Sequence, residues 1–503
     1  MSRTKKFLYN SISTGFYQVV LMVAGLITPR IMLKYYGSEV NGLISSINQF
    51  IVYFNLVEAG LSGAAIYALY KPLADNDHKA INGVVSAAKK FYTQSGYIFV
   101  SLTIGLAAFY PFFIKTDAIT PLNVSLLVII LGTNGALEFF TLSKYRVLLS
   151  ADQRTYVISL ASIVHTIANT IIIAVLGTMQ VSIVILRLVA LLSIFLRSLI
   201  LMIYVKTKYQ YINYKEKPDT GALNKRWDAL YLQVLGAVHK GAPVVILTLA
   251  TGDLMLVSVY TIFNMVTASI NGILSIFKSG LSASFGDVIA KGQDKVLQKS
   301  YSEFEFSYYA LITVVYSIAF VTIMPFIRIY TSGVTDINYD LPLVGFLFVL
   351  NGLLYNIKTP QGMLVISAGM FRETRVQTTI QAAIAVILGF ALTPFIGIYG
   401  ALLASIISDV YRDIDLVFFI PKYLTKLPVM DTIKRLIMVT CSAILVYLPY
   451  GVLDIKIDNY LHWLLYATIV GIYACIIVII MSLIFEKDEL KGVLNRIARL
   501  VKR

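Results

Sequence analysis

Apolar residues fill run after run of about 20 or more positions, the length that crosses a bilayer as a helix. They predict spans at 7–28, 40–70, 91–114, 122–143, 156–177, 181–204, 229–250, 254–290, 304–328, 341–366, 375–394, 397–420, 432–451 and 462–485. The pattern is that of an all-α polytopic membrane protein with about fourteen transmembrane helices. A chain that is 58% hydrophobic and only 14% charged fits that class.

Polar positions interrupt the apolar ones with helical spacing. Asn264, Thr267, Asn271, Ser275, Lys278 and Ser282 form one stripe, and Asn41, Ser45, Asn48, Asn55, Glu58 and Ser62 form another. A helix in hydrocarbon needs no polar face, so such a stripe looks at protein or at a wet cavity. Span one adds Ser11, Thr14, Gln18, Gly25 and Thr28, and span seven adds Gln233, Gly236, Lys240, Thr248 and Thr251. Gln18, Asn48, Asn55, Gln233, Asn264 and Asn271 are therefore candidate cavity residues. Weaker stripes in span four (Asn134, Glu138, Thr141) and span five (Ser159, Ser162, Thr166, Asn169) read more readily as helix-to-helix glue.

Three landmarks recur in order. Gly60-Leu61-Ser62 matches Gly280-Leu281-Ser282, Pro111-Phe112 matches Pro325-Phe326, and Ser150-Ala151 matches Ser367-Ala368, at offsets of 220, 214 and 217 residues. Spans one to six and seven to twelve thus read as a duplication. Six is even, so the copies enter the membrane from the same side as parallel repeats. The expected organisation is an N-terminal lobe over 1–204, a cytoplasmic linker over 205–228 and a C-terminal lobe over 229–420. Two further helices follow over 421–485, then a tail over 486–503. The two pseudo-symmetric six-helix lobes are expected to surround a central cavity. In the tail, Leu490, Val493, Leu494, Ile497 and Val501 share a face ringed by Lys491, Arg496, Arg499, Lys502 and Arg503, the pattern of an interfacial helix.

Charge then sets orientation. Most of the 42 Lys and Arg fall on one set of alternating loops and tails, so both termini are expected on the cytoplasmic side. The net charge of +15 is a topology signal and an attraction to anionic inner-leaflet lipid, and calls for no nucleic acid. Arg3, Lys5 and Lys6 precede a long span without a small-residue cleavage site, unlike a secretory signal. The largest outer connections, near 331–340 and 451–461, are too short for a folded domain.

Ionisable residues inside spans are costly and point to function. Lys240 lies about 17 Å from the cytoplasmic edge of span seven at 1.5 Å per residue, with Pro243 just after it. It reads either as a substrate-site cation or as half of a structural ion pair. Glu58 and Lys278 each stand two residues before the repeated Gly-Leu-Ser, so they could pair as a cytoplasmic gate or snorkel separately. Arg30 could meet an anionic group at the outer exit. No phosphate-binding loop, His-Glu-x-x-His or metal-ligand cluster occurs, so no enzyme, cofactor or metal site is expected. Asp413-Ile414-Asp415 copies a glycosyltransferase acidic pair without a soluble domain around it.

Thr28-Pro29-Arg30 through Tyr35-Tyr36-Gly37, then Glu58-Ala59-Gly60-Leu61-Ser62, within this span count and duplication, resemble a Wzx-type oligosaccharide flippase. That group is the polysaccharide transporter branch of the multidrug/oligosaccharidyl-lipid/polysaccharide (MOP) exporter superfamily. The resemblance implies movement of an undecaprenyl-diphosphate-linked oligosaccharide to the outer leaflet by alternating access, for capsule, O-antigen or exopolysaccharide assembly. It implies a monomer in a bacterial cytoplasmic membrane, with membrane lipids and other polysaccharide assembly proteins as partners. Lys240 and Lys278 would meet the diphosphate, and the polar stripes the sugars. The alternatives are a cation-coupled drug exporter of the same superfamily and an integral-membrane glycan polymerase or ligase.

Overall fold

The computed structural model describes residues 3–114, 116–221, 226–278, 281–452 and 457–493. The described residues are almost wholly helical, and helix occupies every one of the fourteen predicted intervals. Eleven helical stretches among them are long and apolar enough to cross a membrane, which makes this a multi-pass membrane protein. The first stretch, Leu8–Asp75, contains two predicted spans. The helices over 398–420 and 429–452 are not among the eleven, and Asp409, Arg412, Asp413 and Asp415 interrupt the first of them.

Contacts divide the chain into two compact units, 1–261 and 262–503. The first unit contains α1 (Arg3–Phe54), α2 (Leu61–Asp75), α3 (His78–Phe113), α4 (Pro121–Leu137), α5 (Ser143–Ala151), α6 (Thr155–Thr178), α7 (Ile183–Leu191), α8 (Ser193–Lys208) and α9 (Arg226–Thr251). α10 (Leu254–Lys278) begins in it and runs on into the second unit. That unit continues with α11 (Leu281–Ala290), α12 (Asp294–Tyr330), α13 (Pro342–Ile357), α14 (Thr359–Ala368), α15 (Arg375–Ile396), α16 (Ile398–Ile420), α17 (Val429–Val452) and α18 (Tyr460–Phe485). Helix α9, which opens the second predicted lobe, packs with α1 and α2 of the first unit.

Backbone chemistry explains the breaks in the first unit. α1 bends at Gly37, whose φ of 82° is open to glycine and strained for other residues. A 3₁₀ turn, Asn55–Glu58, and Gly60 at φ 77° then separate α1 from α2. Close approach fixes the second arm of α1: a Cβ on Gly42 would stand 1.8 Å from the Leu254 carbonyl oxygen. One on Gly241 would stand 2.1 Å from Gln49 Nε2 and 2.7 Å from the Tyr53 ring. Met32, Leu43, Ile47, Leu69, Val84 and Phe99 form part of this unit's buried apolar core.

In the second unit, α15 lies hard against α16 at Gly400, where a Cβ would come within 2.6 Å of Thr393 N. α17 and α18 pack on α12 through Val321, Val446, Val470 and Ala474. The opposite face of α18 leaves Leu465, Ile469, Ile472, Ile476 and Ile480 exposed, as suits a helix that meets lipid. The duplicated landmarks occupy matching places, with α2 packing on α5 in one unit and α11 on α14 in the other. In the second, Ser282 and Ser367 are in hydrogen-bond contact at 3.0 Å, so two of the recurring motifs touch. Of the predicted interfacial tail, 494–503 lies outside the described residues.

Candidate functional site

The polar stripe of the second arm of α1 splits into two jobs. One edge binds helices together: Asn41 Nδ2 donates to Ser258 Oγ at 2.8 Å, and Ser46 Oγ accepts from Tyr110 and Thr248, both at 2.8 Å. The other edge stays open, with Asn48 and Asn55 both exposed and seven residues apart, hence on one face. The chain beyond them turns through Glu58 and Gly60 into α2, and this bend is held from α9. There the Gly60 N–H donates to Gln233 Oε1 at 3.1 Å.

A cavity of about 860 Å³ opens at this bend. Glu58, Gly60, Ser62 and Tyr67 from the bend and α2, Gln233 from α9, and Asp219 and Gly221 from the connector after α8 are among its walls. The connector is pinned there by α3. Asn82 donates to the Tyr211 carbonyl and accepts from Asn213 N–H, both at 3.0 Å, and Asp219 N–H donates to the Gly83 carbonyl at 3.1 Å. Sequence reasoning missed Asp219 and Gly221, because nothing local marks a connector as a cavity wall.

Behind the wall sits an ionic cluster. Glu138 pairs with Arg146 at 3.5 Å and with Arg197, and Glu58 stands within electrostatic reach of both Arg146 and Glu138. Glu138 opens a π-helical turn, Glu138–Leu142, a local widening often found at functional sites. His165 Nδ1 contacts Ser193 Oγ at 3.0 Å. Thr14 meets Ser159 at 3.3 Å, so part of the span-five stripe joins α1 to α6.

The remaining predicted residues fall as follows. Lys240 is exposed on α9, seven residues and so about 10 Å beyond Gln233 on the same helical face. Gln18 and Arg30 are half-buried on the first arm of α1. In the second unit Asn264 is exposed and Asn271 half-buried. Asn271 Oδ1 accepts from Asn356 Nδ2 at 2.6 Å and from Tyr316 at 3.4 Å, which places it in a helix-joining network. Lys278 is helical, and its side chain lies outside the described residues. No group of three His, Cys, Asp or Glu among the described residues could hold a metal ion.

The second unit has polar centres of its own. Lys358, at the break between α13 and α14, pairs with Asp409, which also accepts from Gln381 Nε2 at 3.0 Å. Arg435 of α17 pairs with Glu305 of α12 at 2.8 Å, the two side chains being 2% and 1% exposed. Tyr301, Gln361 and Thr432 donate to the same carboxylate.

No protein-family model matches the chain, and no curated protein does. Solved structures do. The lipid II flippase MurJ in an inward closed conformation matches 96% of this chain and 100% of its own with a TM-score of 0.70 at 16% identity. An inward-facing multidrug resistance MATE family transporter of the MOP superfamily matches 82% of this chain and 98% of its own, with a TM-score of 0.64 at 14% identity. A MOP superfamily transporter from Pyrococcus furiosus, described as having a binding pocket of reverse polarity that suggests a different function, matches 83% and 95% with a TM-score of 0.60 at 13% identity. The chain therefore has the fold of MOP-superfamily transporters.

Proposed function

We propose that this protein is a flippase that moves an undecaprenyl-diphosphate-linked oligosaccharide from the cytoplasmic to the outer leaflet by alternating access. The observation that carries the reading is the polar face of the first unit. Asn48, Asn55, Ser62 and Tyr67 offer hydrogen-bonding groups for sugars, and Lys240 continues the α9 face that bears Gln233 toward the middle of the span. A cation there suits a diphosphate, whose burial would otherwise be uncompensated. The fold supports a carrier, and the loop distribution of Lys and Arg supports cytoplasmic termini. An inside-negative potential of 100 mV favours outward movement of each negative charge by about 2.3 kcal/mol, so an anionic lipid has a driving force available.

Lys240→Ala is expected to abolish glycan export while leaving folded protein in the membrane. Export and membrane content would be measured together in cells, and normal export from that variant removes Lys240 from the site. A second reading is a cation-coupled exporter. It is favoured by the cavity at the bend, whose ionisable walls, Glu58 and Asp219, are both acidic. Reconstituted protein separates the two: a flippase moves a labelled polyprenyl-diphosphate oligosaccharide, whereas the exporter moves an organic cation and loses that activity in Glu58→Gln.

A further inference from the structure

Two lysines gather around one tyrosine of the connector, and a third, Lys206, lies within electrostatic reach of one of them, Lys144. Lys89 Nζ lies 6.0 Å and Lys144 Nζ 5.4 Å from the centre of the Tyr214 ring. Lys144 also lies 5.0 Å from the ring of Tyr145, which meets Tyr214 edge-on at 6.1 Å. Lys144 is half-buried, and the positive charges of Lys89 and Lys206 both act on it. Among the described residues, none of these three lysines has a carboxylate at ion-pair distance. The Tyr214 hydroxyl is buried and has no hydrogen-bond partner among the described residues. Burial pushes it up, so it keeps its proton and can donate.

Like charges drawn together at a half-buried place cost stability unless an anion joins them. Cation–π contact with the two rings offsets part of that cost and leaves the net positive charge in place. The position of the cluster says where the anion comes from. Lys89, Lys144 and Lys206 each lie within two residues of a predicted span edge, at 91, 143 and 204, which is the level of lipid headgroups. None of the four residues lines the cavity at the bend. We propose that Lys89, Lys144, Lys206 and the Tyr214 hydroxyl form a binding site for the phosphate of an anionic membrane lipid. The bound headgroup would tie α3, α5, α8 and the connector together. It would thereby steady the segment that supplies Asp219 and Gly221 to the cavity wall.

The test is acetylation of lysines in the full chain, read residue by residue by mass spectrometry. Nanodiscs of phosphatidylcholine alone would be compared with nanodiscs that also contain phosphatidic acid, and with phosphatidylcholine nanodiscs in inorganic phosphate. Phosphatidic acid is expected to slow acetylation of Lys89, Lys144 and Lys206 while leaving exposed Lys295 of α12 unchanged. Inorganic phosphate is expected to leave all four unchanged. In Lys144→Gln, half-protection of Lys89 should require about fivefold more phosphatidic acid, the effect of one lysine near an anionic surface. Tyr214→Phe, which keeps the ring, should weaken protection less. Equal protection by inorganic phosphate would overturn the lipid source. Equal slowing at Lys295, or no slowing at the cluster, would overturn the site, as would unaltered protection of Lys89 in Lys144→Gln.

Discussion

The two units solve one problem with opposite charges. In the first, the helix pair α4–α5 is interrupted at Glu138, and this carboxylate pairs with Arg197 on α8. In the second, the pair α13–α14 is interrupted at Lys358, and this ammonium pairs with Asp409 on α16. Both breaks sit in the fourth predicted span of their repeat, and both partners in the sixth. An interrupted helix leaves backbone groups that need company, and an ion pair to a neighbouring helix fixes the break in place. The two predicted repeats share that arrangement and differ in its polarity. The environments differ as well: the Glu138 side chain is 36% exposed beside a cavity wall, whereas Asp409 is 2% exposed. The first pair is thus the wetter and the second the drier.

Among the described residues, the second unit also has a fastening with no counterpart in the first. Arg435 reaches Glu305, Ser302 and, at 3.3 Å, Glu486, so it joins α17, α12 and the chain just after α18. Breaking a buried pair costs about 3 to 5 kcal/mol because it strands a charge. Arg435→Met should lie at the upper end, about 4 to 5 kcal/mol, and should speed hydrogen exchange in α12 and α17 while leaving α1–α6 unchanged. Exchange that rises equally in both units would break the contrast. Lys358→Ala should cost about 3 kcal/mol, and exchanging the two charges, Lys358→Asp with Asp409→Lys, should recover much of it. Glu138→Ala should cost less, about 1 to 2 kcal/mol, because water reaches its site. Its larger consequence should be on transport. If Glu138→Ala destabilised as much as Lys358→Ala, the wet and dry assignment would be wrong.

Much of this architecture could be read from the chain, and the places where reading stops have physical causes. Hydropathy and helical period placed helix in every predicted span, because bilayer length and the 3.6-residue repeat are local properties, but they passed over α5, which lies between the spans at 122–143 and 156–177. The positive φ angles at Gly37 and Gly60, which glycine adopts without strain, bend α1 and separate it from α2, whereas hydropathy alone runs span two straight through Gly60 from 40 to 70. Side-chain partners were not legible: Glu138 and Arg197 are 59 residues apart, and nothing local links them. The polar stripe from Asn41 to Ser62 was read as one straight face. The 3₁₀ turn at Asn55–Glu58 shifts the phase, so Asn48 and Asn55 belong to one face and Ser62 to the next helix. Ser46, one residue off the predicted stripe at Ser45, makes the buried bonds to Tyr110 and Thr248. Periodicity locates a polar face to within about one residue's 100° rotation, which is too coarse to separate a glue residue from a cavity residue.

The smallest effect tests the units at their third shared landmark. Ser150-Ala151 is followed by Asp152, whereas Ser367-Ala368 is followed by Gly369 at φ 69°. Gly369 ends α14 by backbone geometry alone. Asp152 acts through charge: it accepts from Lys6 Nζ at 2.8 Å and from Tyr209, and Arg154 Nε lies 2.6 Å away. Burial raises its carboxyl, but the hydrogen bonds from Lys6 and Tyr209 and the charge of Arg154 outweigh it, so the group sits below the ordinary aspartate range. A depressed carboxyl contributes its stability above its unfolded value, about 3.9, and loses it as pH falls through the lower folded value. Hydrogen exchange over 152–158, corrected for intrinsic rate, should therefore stay slow at pH 5 and quicken only below about pH 4. The turn at 369–375 should show no such step, and Asp152→Asn should remove it from the first unit. A step of the same size at both turns would mean that the charged cluster does not hold the first turn, and that the two units end this helix by the same backbone means.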